Sequence, residues 1–163
     1  MKHISDPQAA NVNIPAQTPS GRLYLAGNQN NINHSVETLV LLDTVDPLFT
    51  DGIEDVVNHK ITPGVAGWYY YSASVCWETV LDQKRYDMMV LRNAGDICIG
   101  RDSYTNSGSG LGTAGQGFNK VSDITYLTAI QFLELWVNHE DLTNNPDIIG
   151  GITRAFLTVQ RVR

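Results

Sequence analysis

The sequence predicts an all-β protein folded as a sandwich of two sheets, and three observations carry that reading. From Glu37 onward, short runs rich in β-branched, aromatic and aliphatic residues are separated by turn residues every eight to twelve positions, the spacing of antiparallel sandwiches. No long segment carries an apolar stripe of helical period, and the best candidate, Tyr126 to Val137, alternates better as two strands. The run that begins at Gly67 alternates over ten residues, with Tyr69, Tyr71, Ala73, Val75 and Trp77 on one side and Trp68, Tyr70, Ser72, Ser74 and Cys76 on the other. The first set is the expected core face.

Residues 1–35 contain six Asn and three Pro, with little periodicity apart from Leu23-Tyr24-Leu25, so they read as a polar arm suited to docking on a partner. Residues 36–163 read as the sandwich domain. Its expected strands are Thr38–Leu42, Val56–Thr62, Trp68–Thr79, Tyr86–Arg92, Asp96–Arg101, Val121–Leu127, Phe132–Asn138 and Ile152–Val162. Turns are expected at Asp46-Pro47, Asp51-Gly52, Pro63-Gly64, Asn93-Ala94-Gly95 and Gly150-Gly151.

Some strands are apolar on both faces. Leu39-Val40-Leu41-Leu42, Phe132-Leu133 and Phe156-Leu157 leave no polar side for water, and the face opposite Tyr69 still carries Trp68 and Tyr70. A lone sandwich wets its outer faces, so something is expected to cover them, and a second copy of the chain is the simplest cover.

The 163 residues are 42% hydrophobic but only 17% charged, against a norm of roughly 25%. That length supports one core. With 17 acidic and 11 basic side chains the net charge is −6, and the four Lys are scattered, which argues against nucleic-acid binding. Arg154, Arg161 and Arg163 form the only local basic bias and read as a solvated strand end. No apolar stretch is long enough to span a membrane, and the N-terminus lacks a secretory pattern, so synthesis in the cytoplasm is expected. Cys76 and Cys98 indicate no disulfide framework and are expected to be buried or half-buried thiols.

Gly110-Leu-Gly112-Thr-Ala-Gly115 matches the letters of a dinucleotide-binding loop, but the residues that follow read as a strand, where such a loop needs a helix. Asn106 to Gly117 is expected to be a long surface loop instead. His139-Glu140-Asp141 with Asp147, and separately Asp43, Asp46, Asp51, Glu54 and Asp55, could offer oxygens to a structural Ca²⁺; charged loops are the plainer reading. His3, His34, His59 and His139 are isolated in sequence, and no G-x-S-x-G, H-E-x-x-H or C-x-x-C occurs. Neither an enzyme nor a cofactor is expected.

Four segments, in this order, resemble the tumour-necrosis-factor-like jelly-roll superfamily, in particular its complement component one-q globular-head branch. His59-Lys-Ile-Thr-Pro-Gly-Val-Ala-Gly67-Trp-Tyr69-Tyr-Tyr71 is similar to that family's strand-turn pattern of an apolar position, Pro, then G-x-Y-x-[FY]. Met89-Val-Leu-Arg-Asn93-Ala-Gly95 resembles its hydrophobic strand and Asn-Gly-like turn. Val121 to Leu135 resembles two strands around a short turn, and Ala155-Phe156-Leu-Thr-Val159 resembles the closing strand. The resemblance runs from Glu37 to Val162, and it implies a jelly-roll fold and a homotrimer whose inner sheets pack around a three-fold axis. Trp68, Tyr70, Trp136 and Leu157 are then the candidates for trimer interface or sheet packing.

With no signal, no collagen-like stalk and an Asn-rich arm, the reading is a non-enzymatic bacteriophage virion protein. It would be a head decoration or head-fibre protein on the virion surface, attached to a capsid protein through residues 1–35. Two alternatives stand beside it: a tail-fibre tip that binds a host receptor or glycan, and a secreted complement-like recognition or signalling ligand. A trimer would carry a net charge of −18, three times −6, favouring protein surfaces or neutral glycans as partners.

Overall fold

Two antiparallel sheets face each other across a core of aromatic and aliphatic side chains in the computed structural model, which describes residues 19–81, 83–93, 97–105 and 115–162. The strands are β1 (Ser20–Tyr24), β2 (Thr38–Leu39), β3 (Thr44–Thr50), β4 (Glu54–Asp55), β5 (Lys60–Ile61), β6 (Gly67–Val80), β7 (Arg85–Arg92), β8 (Ile97–Thr105), β9 (Gly115–Leu127), β10 (Leu133–His139) and β11 (Phe156–Arg161). One sheet runs β3-β1-β11-β6-β9; the other runs β4-β5-β10-β7-β8, with β2 added to β10. Neighbours in space come from distant parts of the chain, as in a jelly roll.

The alternation from Gly67 is realised over the first half of β6, beyond which Ser74 and Cys76 of the outward set are buried as well. Tyr69, Tyr71, Ala73, Val75 and Trp77 are all buried, while Trp68 and Tyr70 on the opposite face are exposed. Each large buried aromatic has a partner for its polar atom, as burial in a low-dielectric core requires. The Tyr69 hydroxyl donates to Val65 O and the Tyr71 hydroxyl to Ile99 O, both at 2.7 Å, and the Trp77 indole N–H donates to Asn119 Oδ1 at 2.8 Å. Burial pushes the Tyr71 hydroxyl up to about 12, with the charges of Asp123 and Cys98 adding to the shift.

The structure corrects the sequence reading at several places. Residues 19–35 are not arm: β1 lies between β3 and β11, and Leu23, Leu25 and Ile32 are core residues. The sandwich therefore includes Ser20, and of the proposed arm only residues 1–18 lie outside the described residues. Asp46-Pro47 is no turn but the middle of β3, an edge strand, where Pro is tolerated because the strand pairs on one side only and its register with β1 is irregular there. Asp46 is buried there against Arg22 (3.8 Å).

Val56–Thr62 splits into a turn and β5, with Val57 80% exposed, and the last strand starts at Phe156 rather than Ile152. Thr38–Leu42 is strand only over its first two residues, although the Val40 N–H continues toward Leu135 O at 2.8 Å. Gly115 and Gly117 open β9 instead of ending a loop; a Cβ at Gly117 would lie 2.7 Å from Val80 Cγ1. Residues 106–114 lie outside the described residues. Cys76 is buried as expected, but Cys98 is exposed.

Candidate functional site

The outward face of the five-stranded sheet carries a row of exposed apolar side chains on paired strands. On β6 and β9, directly opposed residues share a face. Trp68 stands opposite Tyr126, Tyr70 opposite Ile124, Ser72 opposite Ser122, Ser74 opposite Lys120 and Cys76 opposite Phe118. Of these ten positions only Lys120 carries a charge. Trp68 is 53% exposed and Ile124 51%, with Tyr70, Phe118 and Tyr126 close behind.

The local sequence explains the shape of this face. Trp68 and Tyr126 meet edge to face, with ring centroids 5.7 Å apart and planes at 74°, the geometry favoured by the ring quadrupoles. Beyond this aromatic end, Ser72 and Ser122 are short and leave a shallow depression of about 210 Å³, bounded by Tyr70, Lys120 and Phe156. On the far side β11 sets Phe156 opposite Ser74 and β1 sets Tyr24 opposite Phe156. The Arg22 guanidinium lies 4.1 Å from the centre of the Phe156 ring, so this edge is more polar.

The four residues singled out from the sequence separate. Trp68 and Tyr70 lie together on the outward face just described. Leu157 is fully buried in the core between the sheets. Trp136 is half-buried on the other sheet, because Leu135 and Val137 beside it point inward; it pairs with Leu39 and Met89, and its indole N–H donates to Glu134 Oε2 at 3.1 Å. Phe118, Ile124 and Tyr126 were missed as partners of Trp68 and Tyr70, although their alternation along β9 was available as a signal.

The acidic loops spend their oxygens on the backbone. Asp43 Oδ1 accepts from the Ala26 N–H (2.9 Å), Asp51 from the Ser20 N–H (2.8 Å), Asp147 from the Asn31 N–H (2.8 Å), and Asp55 from the Val57 and Asn58 N–H groups. Among the described residues, no three His, Cys, Asp or Glu side chains gather as a metal ion would need.

His139 and Asp141 point inward. The His139 Nε2–H donates to Ile32 O at 2.8 Å, and its Nδ1 accepts from the Asp141 N–H at 3.1 Å, which fixes the neutral tautomer. The ring stacks on Tyr86 and lies 6.0 Å from His34, so two histidines isolated in sequence become neighbours. Burial lowers the His139 pKa, and the charge of nearby Asp141 only partly opposes this. Burial alone would raise Asp141, but hydrogen bonds from Thr143 outweigh it and hold the carboxyl below its ordinary range.

No protein-family model matches the sequence, and no curated protein is similar to it. Solved structures are similar in fold. Eiger TNF from S. frugiperda superposes with a TM-score of 0.69 at 11% identity, over 91% of this chain and 94% of that one. Murine APRIL at pH 5.0 gives 0.64 at 10% identity, over 90% and 100%, and the globular domain of zebrafish complement 1qA gives 0.64 at 9%, over 90% and 98%. The chain has the tumour-necrosis-factor-like jelly-roll fold.

Proposed function

We propose that this chain is a non-enzymatic binding module that works as a homotrimer, with three copies covering the outward faces of their five-stranded sheets. The observation that carries this reading is the stripe of Trp68, Tyr70, Phe118, Ile124 and Tyr126, half-exposed and with one charge among the ten positions around it. Fully burying each such side chain gains about 1.5–3 kcal/mol, of which roughly half is still to be gained here. Five of them supply on the order of 5 kcal/mol per copy toward the cost of association. The family resemblance implies a trimer whose inner sheets pack together, and the fold likeness is consistent with a trimer.

Ile124→Glu, with Val57→Glu as a control on an exposed turn, tests it by light scattering. The first variant should run as an 18.0 kDa monomer and the control should keep the mass of three chains, 54.0 kDa. Equal masses for the two would remove the sheet face as the interface.

The finer reading is display on a virion surface, through attachment of residues 1–18 to a capsid protein. It rests on the polar composition of that segment. Removing residues 1–18 is expected to abolish particle attachment and leave the trimer intact; attachment by the truncated chain would overturn it.

A further inference from the structure

At the end of the sandwich reached by the C-terminus of β1, a groove of about 490 Å³ opens between residues 25–30, Leu41–Asp43 and His59. That volume falls in the range of small-molecule sites, about 300–1,000 Å³. None of its lining residues belongs to the outward face of the five-stranded sheet.

The walls are fixed before any ligand arrives. Gln29 exchanges two backbone hydrogen bonds with Ile148 (3.0 and 2.9 Å), while its side chain donates to Leu39 O at 2.9 Å and accepts from the Leu41 N–H at 2.8 Å. The Gly151 N–H donates to Leu25 O (2.6 Å) and the Gly150 N–H to Asn28 Oδ1 (3.0 Å). A site tied down in this way loses little ordering entropy on binding.

The polar atoms left over are two acceptors and one donor. His59 Nδ1 lies 3.0 Å from Leu42 O, and a carbonyl can only accept, so Nδ1 carries the hydrogen and Nε2 of the neutral ring is an acceptor. Asp43 uses Oδ1 on the Ala26 N–H and the Thr44 hydroxyl, and Oδ2 has no partner among the described residues. Asn28 spends its oxygen on Gly150, which leaves its NH₂ to donate. His59 also holds a left-handed backbone, φ 57°, a conformation that costs free energy in a non-glycine residue and is frequent at ligand sites. Leu25 and the 43% exposed Leu41 give the groove an apolar wall.

We infer that this groove binds a neutral, hydroxyl-rich sugar. Vicinal hydroxyls supply the donors that Asp43 Oδ2 and His59 Nε2 lack, a ring oxygen or hydroxyl accepts from Asn28, and the C–H face of a pyranose lies on Leu41. Among the described residues no Lys or Arg lines the groove, so phosphate, sulfate or a sugar carboxylate would meet Asp43 without a compensating cation. This inference is independent of the trimer.

The test is a titration of the full ¹⁵N-labelled chain with the methyl glycosides of glucose, galactose and mannose, with N-acetylneuraminate and spermidine run in parallel. The expected result is saturable shifts of the Gly27, Asn30 and Leu41 amides with at least one neutral glycoside. Asp43→Asn should weaken that binding about tenfold, since hydrogen bonds to charged groups exceed neutral ones by that order. His59→Asn, which tolerates the left-handed backbone, should weaken it while thermal unfolding stays unchanged. Saturation with only N-acetylneuraminate or spermidine, or no saturable shift with any glycoside, would overturn the assignment whatever mass the protein shows.

Discussion

Trp68 and Tyr126 lie directly opposite each other on β6 and β9 and pack edge to face, with centroids 5.7 Å apart, on a side of the sheet that points away from the core. Core aromatics in this chain are fully buried and hydrogen-bonded; this pair is about half exposed. In the proposed homotrimer this pair is part of the interface. Trp68→Ala should weaken association by about 2 kcal/mol per copy, with little change in the far-ultraviolet circular dichroism, and a dilution series followed by mass checks it.

Asn119 anchors the core end of the same two strands. It accepts from the Trp77 indole at 2.8 Å and donates to Asp102 and to Tyr86 O. Asn119→Ala strands a buried indole N–H, and urea unfolding should register a loss of about 2–3 kcal/mol. An unchanged midpoint would mean that water or another acceptor replaces it.

Acid sensitivity should trace to His139. Its folded pKa lies below the ordinary value of 6.5, so the unfolded chain takes up a proton first. The neutral ring's contribution is complete above pH 6.5 and is lost as pH falls below it, with a slope of up to about 1.4 kcal/mol per pH unit for one proton. The groups facing it are His34, Tyr86, Trp77 and Asp141. In His139→Gln, stability measured between pH 7 and pH 5 should lose that slope. Asp87 and Asp141, both held below the ordinary carboxylate value of 3.8, contribute only in a lower window.

Gly150 has no room for a side chain, because a Cβ would come within 2.2 Å of Gly27 O and 2.8 Å of Ala26 O, both backbone. Gly150→Ala should cost about 1–3 kcal/mol and disturb the groove, whereas Gly27→Ala, with nothing within 4 Å of its Cβ, should stay within about 0.5 kcal/mol. Paired thermal melts check the contrast.

The sequence was most legible where a strand is long and one-sided. Ten residues of β6, Trp68 to Trp77, alternate in sequence, and the core face followed from them directly. β1 was hidden because SGRLY shows a single large inward residue, Leu23; Gly21 beside it is small for a reason of packing, since a Cβ there would lie 2.6 Å from Ile53 Cγ1. β3 was hidden by Asp46-Pro47, whose turn chemistry is overridden by an edge position and by the contact of Asp46 with Arg22. Of the candidate site, Trp68 and Tyr70 were readable as aromatics on the wrong face of a core strand. The alternation of β9 puts Phe118, Ile124 and Tyr126 on one face, but their pairing with β6 joins segments some fifty positions apart, which local sequence does not reveal. The same holds for the groove, assembled from three segments up to 34 positions apart, Leu25 to His59.

Sedimentation equilibrium of the unmodified full chain across a dilution series tests the central claim most directly. A homotrimer gives a single species at 54.0 kDa, three times the chain mass of 18.0 kDa, dissociating to monomer only on strong dilution. An 18.0 kDa species throughout the micromolar range would contradict it.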